Sequence, residues 1–292
     1  MVYEQTIRSA VECSGVGLHN GAPVRMRILP AAAGTGIVFR RTDLDDFTVE
    51  ATGRNVAKVS YATSLMKKGV LISTTEHLLS ALMGLGVDNA IIELDNLEVP
   101  ILDGSALPIV EMLRQAGLRN LRRPRRYLQV IEEVEVVDGA KRVAISPDES
   151  FSVAYTIDFP APIGRSSIDV DLSSGYTDLI APARTFGFLE DVPVLQNMGL
   201  IRGATEENAI VVTREGVKNP PLRFADEFVR HKVLDLVGDL ALLGHPVLGR
   251  VVADRAGHAM HTALVQKLLK TPALWRLVTR EEAAMPALQA AP

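Results

Sequence analysis

The stretch FVRHKVLDLVGDL, residues 228–240, sets His231, Asp235 and Asp239 four residues apart in an apolar frame. A helix turns every 3.6 residues, so these three side chains stack along one face. Burying an imidazole and two carboxylates without compensation is costly, and a metal ion would compensate them. The helix runs within LRFADEFVRHKVLDLVGDLALLG, 222–244, and Gly244 marks its end. Working outward, LGRVVADR reads as a strand and GHAMHTALVQKLLK, 257–270, as a final helix. Upstream lie four strand-like stretches, RRYLQVIEEVEVVDG, KRVAISP, FSVAYTIDF and SIDVDLS.

The first half of the chain repeats that order. SAVECSGVGLH, APVRMRILPA, TGIVFRRT and FTVEATGRNVA read as strands broken by Gly, Asn and Pro. STTEHLLSALMGLG, 73–86, has helical spacing at Leu78, Leu79, Leu82 and Met83, with Gly84 and Gly86 as the stop. NAIIELDN follows as a strand, and DGSALPIVEMLRQAG, 103–117, as a second helix closed by Gly117. The fold class is therefore α+β, with two similar domains from a duplicated unit. Each layers a β-sheet against helices, and the active site lies between them. We expect a first domain over 1–120 and a linker over 121–126, within the basic run RNLRRPRR. A second domain over 127–280 and a C-terminal tail over 281–292 complete the chain.

Composition narrows the function classes. Apolar residues make up 47% of the 292-residue chain and charged residues 23%, as expected of a globular protein. The net charge of −4 provides no broad basic field for nucleic acid. Cys13 is the single cysteine, so a metal would have to use nitrogen and oxygen ligands. The N-terminus MVYEQTIRSAVE lacks the pattern of a signal peptide, and no apolar run approaches the length of a membrane span. A cytoplasmic location, no membrane span and a monomer are the expectations.

His77 and His231 fall on corresponding helices. With Asp235 they offer two nitrogens and one carboxylate. Three protein ligands and an open position form the pattern of a catalytic zinc site. Glu76 adjoins His77 and can be aimed at water beside the ion while its neighbour ligates. His258 opens the last helix, whose N-terminus disfavours an imidazolium. Asp239, one turn beyond Asp235, is the anion that would keep it charged. Plainer readings exist for each residue alone. His231–Asp235 could be an ordinary i,i+4 contact, Glu76 a solvated helix charge and Thr75–Glu76 an N-terminal cap. Their joint placement on matched elements is what favours a metal. His19, in the turn GVGLHNG, is a further candidate at the site, His245 reads as structural, and His261 shares a face with His258.

The segments STTEHLLSAL, VPILDGSA, ARTFGF, NMGLIRGATEENAIV and LRFADEFVRHKVLDLVGDL with GHAMH together resemble the UDP-3-O-acyl-N-acetylglucosamine deacetylases. These are zinc enzymes of lipid A biosynthesis in Gram-negative bacteria. The resemblance runs from SGVGLHNG to about residue 270. It implies a hydrolase that removes the N-acetyl group of an acylated UDP-sugar and releases acetate. It implies metal ligands at His77, His231 and Asp235, with Zn2+ or Fe2+ as the ion. It implies a general base at Glu76 and an acid or electrostatic histidine at His258, supported by Asp239. Thr185 would bind the oxyanion, Phe186 would pack on the sugar, and Lys232 would contact the nucleotide sugar. FLEDVPVLQNMGLIRG, 188–203, would be an insert forming an acyl passage lined by Val192, Leu195, Met198 and Leu200. Taken alone, that stretch is an ordinary amphipathic helix. The chain departs from the family at Ala204-Thr205, where Gly-Ser is frequent, and at His261, where an amide is frequent.

Three rivals remain at this level. A zinc amidohydrolase could act on another acylated amino sugar. Repeated α+β units also serve as non-catalytic RNA-binding modules, although few aromatics are available for stacking. A small-molecule kinase would need a Gly-rich phosphate loop opening a helix, and GLGVDN instead ends one.

Overall fold

In the computed structural model of the chain, residues 1–57 and 61–285 are described. The first sheet contains β1 (Val11–Val16), β2 (Pro23–Pro30), β3 (Ile37–Arg41), β4 (Phe47–Glu50) and β5 (Ala90–Leu94), in the order β1-β2-β5-β3-β4. β5 is antiparallel to β2 and parallel to β3. The second sheet contains β6 (Val134–Asp138), β7 (Lys141–Ser146), β8 (Phe151–Asp158), β9 (Arg165–Asp171) and β10 (Val247–Asp254). Here β10 is antiparallel to β7 and parallel to β8, while β6 pairs with β7 and β9 with β8. The two sheets therefore share one strand order and one set of strand directions. The duplication expected from element order is present in the topology, and the fold is α+β.

Side-chain alternation explains the sheets. In β2 the inward Val24, Met26 and Ile28 are buried and the intervening Arg25 and Arg27 are exposed. The late strand of each unit enters the sheet after a helix, because parallel neighbours need a crossover. Those helices are α1 (Glu76–Gly84) and α3 (Glu227–Leu240). Each unit ends in a further helix, α2 (Leu107–Ala116) or α4 (His258–Lys270). Gly244, at φ 77°, closes the turn after α3 in the left-handed region that favours glycine.

α1 and α3 pack directly against each other. Glu76 through Leu82 are all buried, and most of α3 is buried as well. Gly238 makes this approach possible, since a Cβ there would lie 2.0 Å from the Glu76 carbonyl oxygen. A mid-helix glycine costs about 1 kcal/mol relative to alanine, and here it brings Glu76 beside the His231–Asp235–Asp239 stripe. Gly238→Ala should therefore destabilise the protein by about 1–3 kcal/mol through overpacking, against the usual gain in helix propensity. Chemical denaturation checks this. Unchanged or increased stability would mean that the crossing is not tight.

Several elements differ from the sequence reading. The basic run expected as a linker is largely a strand, Leu118–Pro124, antiparallel to Tyr3–Ile7. Its exposure pattern repeats in threes rather than twos, which hid it. The insert expected over 188–203 contains a 3₁₀ turn, Leu189–Asp191, and one short α-helix, Val192–Asn197, while Phe186–Phe188 joins a small sheet with Ile210–Thr213 and Gly216–Val217. The second sheet is extended by Tyr127–Val130 and Trp275–Val278. The expected tail begins inside a short helix, Arg280–Ala283, and residues 286–292 lie outside the described residues. Among the described residues, no helix is long and apolar enough to cross a membrane.

Candidate metal centre and active site

The donor atoms of His77, His231 and Asp235 all lie within 4.8 Å of one another, and all three residues are buried. Asp235 Oδ1 is 3.3 Å from His231 Nε2 and 3.7 Å from His77 Nε2. A tetrahedral ion with donors at about 2.0–2.1 Å spaces those donors about 3.3 Å apart. The His77 and His231 rings meet edge-on, with centroids 5.0 Å apart. His231 Nδ1 lies 3.1 Å from the Ala183 carbonyl oxygen, which accepts its N–H and leaves the Nε2 lone pair facing Asp235.

Electrostatics agree with this arrangement. Burial drives the His77 imidazole down to about 3, with His231 adding to the shift. Burial also lowers His231. Both rings are therefore neutral near pH 7, so neither forms an ion pair with Asp235, and both keep a lone pair for a cation. Burial opposes ionisation of Asp235, but the charges of Lys232 and His258 hold it below the usual carboxylate range. Lys232 Nζ contacts Asp235 Oδ2. Asp235 Oδ1 is buried and, among the described residues, has no hydrogen-bond partner. An unpaired carboxylate oxygen between two neutral imidazoles is what a divalent cation would satisfy, so the residues fit a metal.

Asp239 and His261, both buried, form a second group with the half-buried His258, and its bonding is different. Asp239 Oδ2 lies 2.8 Å from His258 Nδ1 and 2.9 Å from His261 Nδ1. These are hydrogen-bond lengths, shorter than a ligand–ligand edge. Asp239 Oδ1 accepts the Thr63 hydroxyl. Every oxygen of this carboxylate is paired, so the group holds protons in place rather than an ion. His261 Nε2 lies 3.0 Å from the Tyr155 hydroxyl.

His258 reaches from the second group towards the first, beside Glu76. His258 Nε2 is 3.7 Å from both Glu76 Oε1 and Asp235 Oδ2. Burial raises the Glu76 carboxyl to about 7, although the His258 charge opposes it. Burial alone would depress His258, but Asp239, Asp235 and Glu76 outweigh it and hold the imidazole at about 9. Both groups are displaced upward, the carboxyl to about 7 and the imidazole to about 9, so near neutral pH one can accept a proton while the other still holds one.

The structure also places the remaining candidates. Thr185 and Phe186 line a cavity of about 350 Å³ with Glu76, His77, His231 and His258. Thr185 is fixed through its backbone: its N–H donates to Gly104 O at 2.8 Å, and its carbonyl accepts from Ile210 at 2.8 Å. Phe186 meets Phe228 and Phe159 edge-on. Lys232 lines the cavity but spends its charge on Asp235. The cavity wall also carries Lys141 and Arg255, two cations that no motif in the sequence announced. His19 has both ring nitrogens buried without partners among the described residues, and burial holds its imidazole low. Its backbone N–H donates to Glu98 at 2.8 Å. Glu98 also accepts the Thr74 hydroxyl at 2.8 Å, and Thr74 sits at φ 57°, strained for a β-branched residue, just before Glu76 and His77.

The residues expected to line an acyl passage do not line the groove of this region. Val192, Leu195 and Leu200 are half-buried, and Met198 is 57% exposed. The groove in this region, about 250 Å³, is instead walled by Phe188, Leu189 and Val212, with Glu190, Arg214 and Glu215 also on its lining. Phe159 touches both Phe186 and Phe188, linking this groove to the main cavity.

Two neutral imidazoles and a carboxylate with an unpaired oxygen, beside a raised carboxyl, are the groups that a metal-dependent hydrolase uses. The family model LpxC, UDP-3-O-acyl N-acetylglycosamine deacetylase, matches residues 4–270, and the chain belongs to this family. It is similar to the UDP-3-O-acyl-N-acetylglucosamine deacetylase of Solibacter usitatus (strain Ellin6076), with 53% identity over 292 residues, covering 99% of each chain. The enzyme of the same name from Phenylobacterium zucineum (strain HLK1) is 46% identical over 287 residues, covering 96% of this chain and 98% of the relative. That from Myxococcus xanthus (strain DK1622) is 44% identical over 279 residues, covering 94% and 89%.

Proposed function

We propose that the chain hydrolyses the N-acetyl group of UDP-3-O-acyl-N-acetylglucosamine, releasing acetate, in lipid A biosynthesis. Family membership and the three relatives support the reaction and disfavour the RNA-binding alternative. One observation carries the site assignment: the buried, unpaired Asp235 Oδ1 beside two neutral imidazoles. We assign His77, His231 and Asp235 as ligands of Zn2+, with Fe2+ suited to the same donors. Such an ion supplies Lewis acidity and lowers the pKa of a water in its open position to about 7.

The protein's own groups do the rest. Glu76 takes a proton from the attacking water, a task suited to a carboxyl raised to about 7. The Thr185 hydroxyl donates to the oxygen that becomes negative at the acetyl carbonyl. His258, kept cationic by Asp239, stabilises the developing charge and protonates the departing amine. Phe186 packs against the sugar, and His19 closes the edge of its site. Lys141 and Arg255 give the cavity a positive wall suited to a diphosphate, and Lys232, held by Asp235, contacts the nucleotide sugar. The groove at Phe188, Leu189 and Val212 takes the acyl chain. The chain acts as a cytoplasmic monomer that meets membranes only at their surface.

The test is acetate release from the acylated UDP-sugar by metal-loaded protein, with chelation as the control. Activity that is lost on chelation and restored by Zn2+ supports the assignment. Release unaffected by complete metal removal overturns it. The pH profile follows from the two displaced groups. The rate should rise as Glu76 loses its proton, with the limb at or below about 7. It should fall as His258 loses its proton, with the limb at or below about 9. A bound dication favours the carboxylate and disfavours the imidazolium, so it moves both limbs downward. A rate that keeps climbing beyond pH 9 would remove His258 from the role of acid.

A further inference from the structure

The reaction needs two carboxylates, Glu76 and Asp239, each aimed with one oxygen. Neither is aimed by its own helix alone. Glu76 Oε2 accepts the Thr63 backbone N–H at 3.1 Å, which leaves Oε1 facing His258. Asp239 Oδ1 accepts the Thr63 hydroxyl, which leaves Oδ2 to the two imidazoles. Thr63 is itself fully buried. Its carbonyl accepts both the Thr75 N–H and the Thr75 hydroxyl, each at 3.1 Å, so the segment is pinned to the start of α1. One residue outside both helices thus sets the rotation of a carboxylate on each.

We propose that Thr63 is a positioning residue whose N–H fixes one oxygen of Glu76 and whose hydroxyl fixes one oxygen of Asp239, so that each carboxylate presents its other oxygen to the reaction. The hydroxyl has no second acceptor of comparable length, since the other atom near it, His258 Nδ1 at 3.2 Å, is a donor once it binds Asp239. Without the hydroxyl, Asp239 Oδ1 is buried without a donor and the carboxylate is free to turn. His258 then loses the fixed acceptor that orients its ring. The inference rests on the roles proposed above for Glu76 and His258.

Thr63→Val is nearly isosteric, removes only the hydroxyl and keeps the N–H on Glu76. Thr63→Ser keeps both groups. The valine variant should lose about 10- to 100-fold in kcat, the usual cost of deleting an orienting partner. Its KM and bound metal should stay at the level of the unmodified protein, and the serine variant should recover most of the rate. In metal-free protein, the downfield imidazole N–H resonance of His258 on Asp239 should be lost in the valine variant and kept in the serine variant. If valine prevents folding, Thr63→Ala removes the same hydroxyl and carries the same expectation. Full kcat in the hydroxyl-free variant, equal impairment of valine and serine, or a rate loss that follows metal loss would each overturn the inference. Glu76→Gln, measured alongside, separates the two levels. If it is active, the underlying mechanism fails; if it is inactive while Thr63→Val runs at full rate, only the role of Thr63 fails.

Discussion

Asp235→Ala protein should lose its divalent cation and, with it, deacetylation. Asp235 Oδ1 is the one carboxylate oxygen shared by the His77 and His231 contacts, at 3.7 and 3.3 Å. Without it two neutral imidazoles remain, too few donors for a stable site. Metal catalysis supplies several kcal/mol of transition-state stabilisation, so turnover should fall by about 1,000-fold or more. Elemental analysis and acetate release on the same sample check both halves. The fold should survive, because removing Asp235 also removes a buried unpaired oxygen, although Lys232 loses its partner. A variant that kept stoichiometric metal would show that the ion is held elsewhere.

Glu76→Gln should separate chemistry from metal binding. The amide has the same shape and can still accept the Thr63 N–H. It cannot take a proton. General-base catalysis is worth about 10² to 10⁴ in rate, and that loss should fall on kcat. Metal content should remain at the unmodified level, because Glu76 is not among the grouped donors His77, His231 and Asp235. If the variant lost its metal but kept its turnover per metal, Glu76 would be a structural support of the ion and the base would have to be another group.

The duplicated unit was legible because its signals are local and repeated. Each half shows alternating strands, then a helix carrying polar residues on an apolar frame. The spacing of His231, Asp235 and Asp239 gave the stripe on α3, and its pairing with the TTEHL segment predicted where His77 would meet it. Other features depend on distant partners. The strand at Tyr3–Ile7 is defined by pairing with Leu118–Pro124, far along the chain. Thr63 sits in YATSL, which has no periodic signal, and its two carboxylate partners are 13 and 176 residues away. The insert was legible only as an amphipathic stretch, because Phe186–Phe188 at its start is placed by edge pairing with Ile210–Thr213, a partner outside that stretch. Gly238 was visible as a glycine in a helix, but its reason, the backbone of Glu76 against it, was not.

Anomalous diffraction at the zinc edge from metal-loaded crystals tests the central claim most directly. The account predicts a single strong peak within bonding distance of His77 Nε2, His231 Nε2 and Asp235 Oδ1. A peak at Asp239, His258 and His261 instead, or an empty space between the two α1 and α3 imidazoles in active, loaded protein, would contradict it.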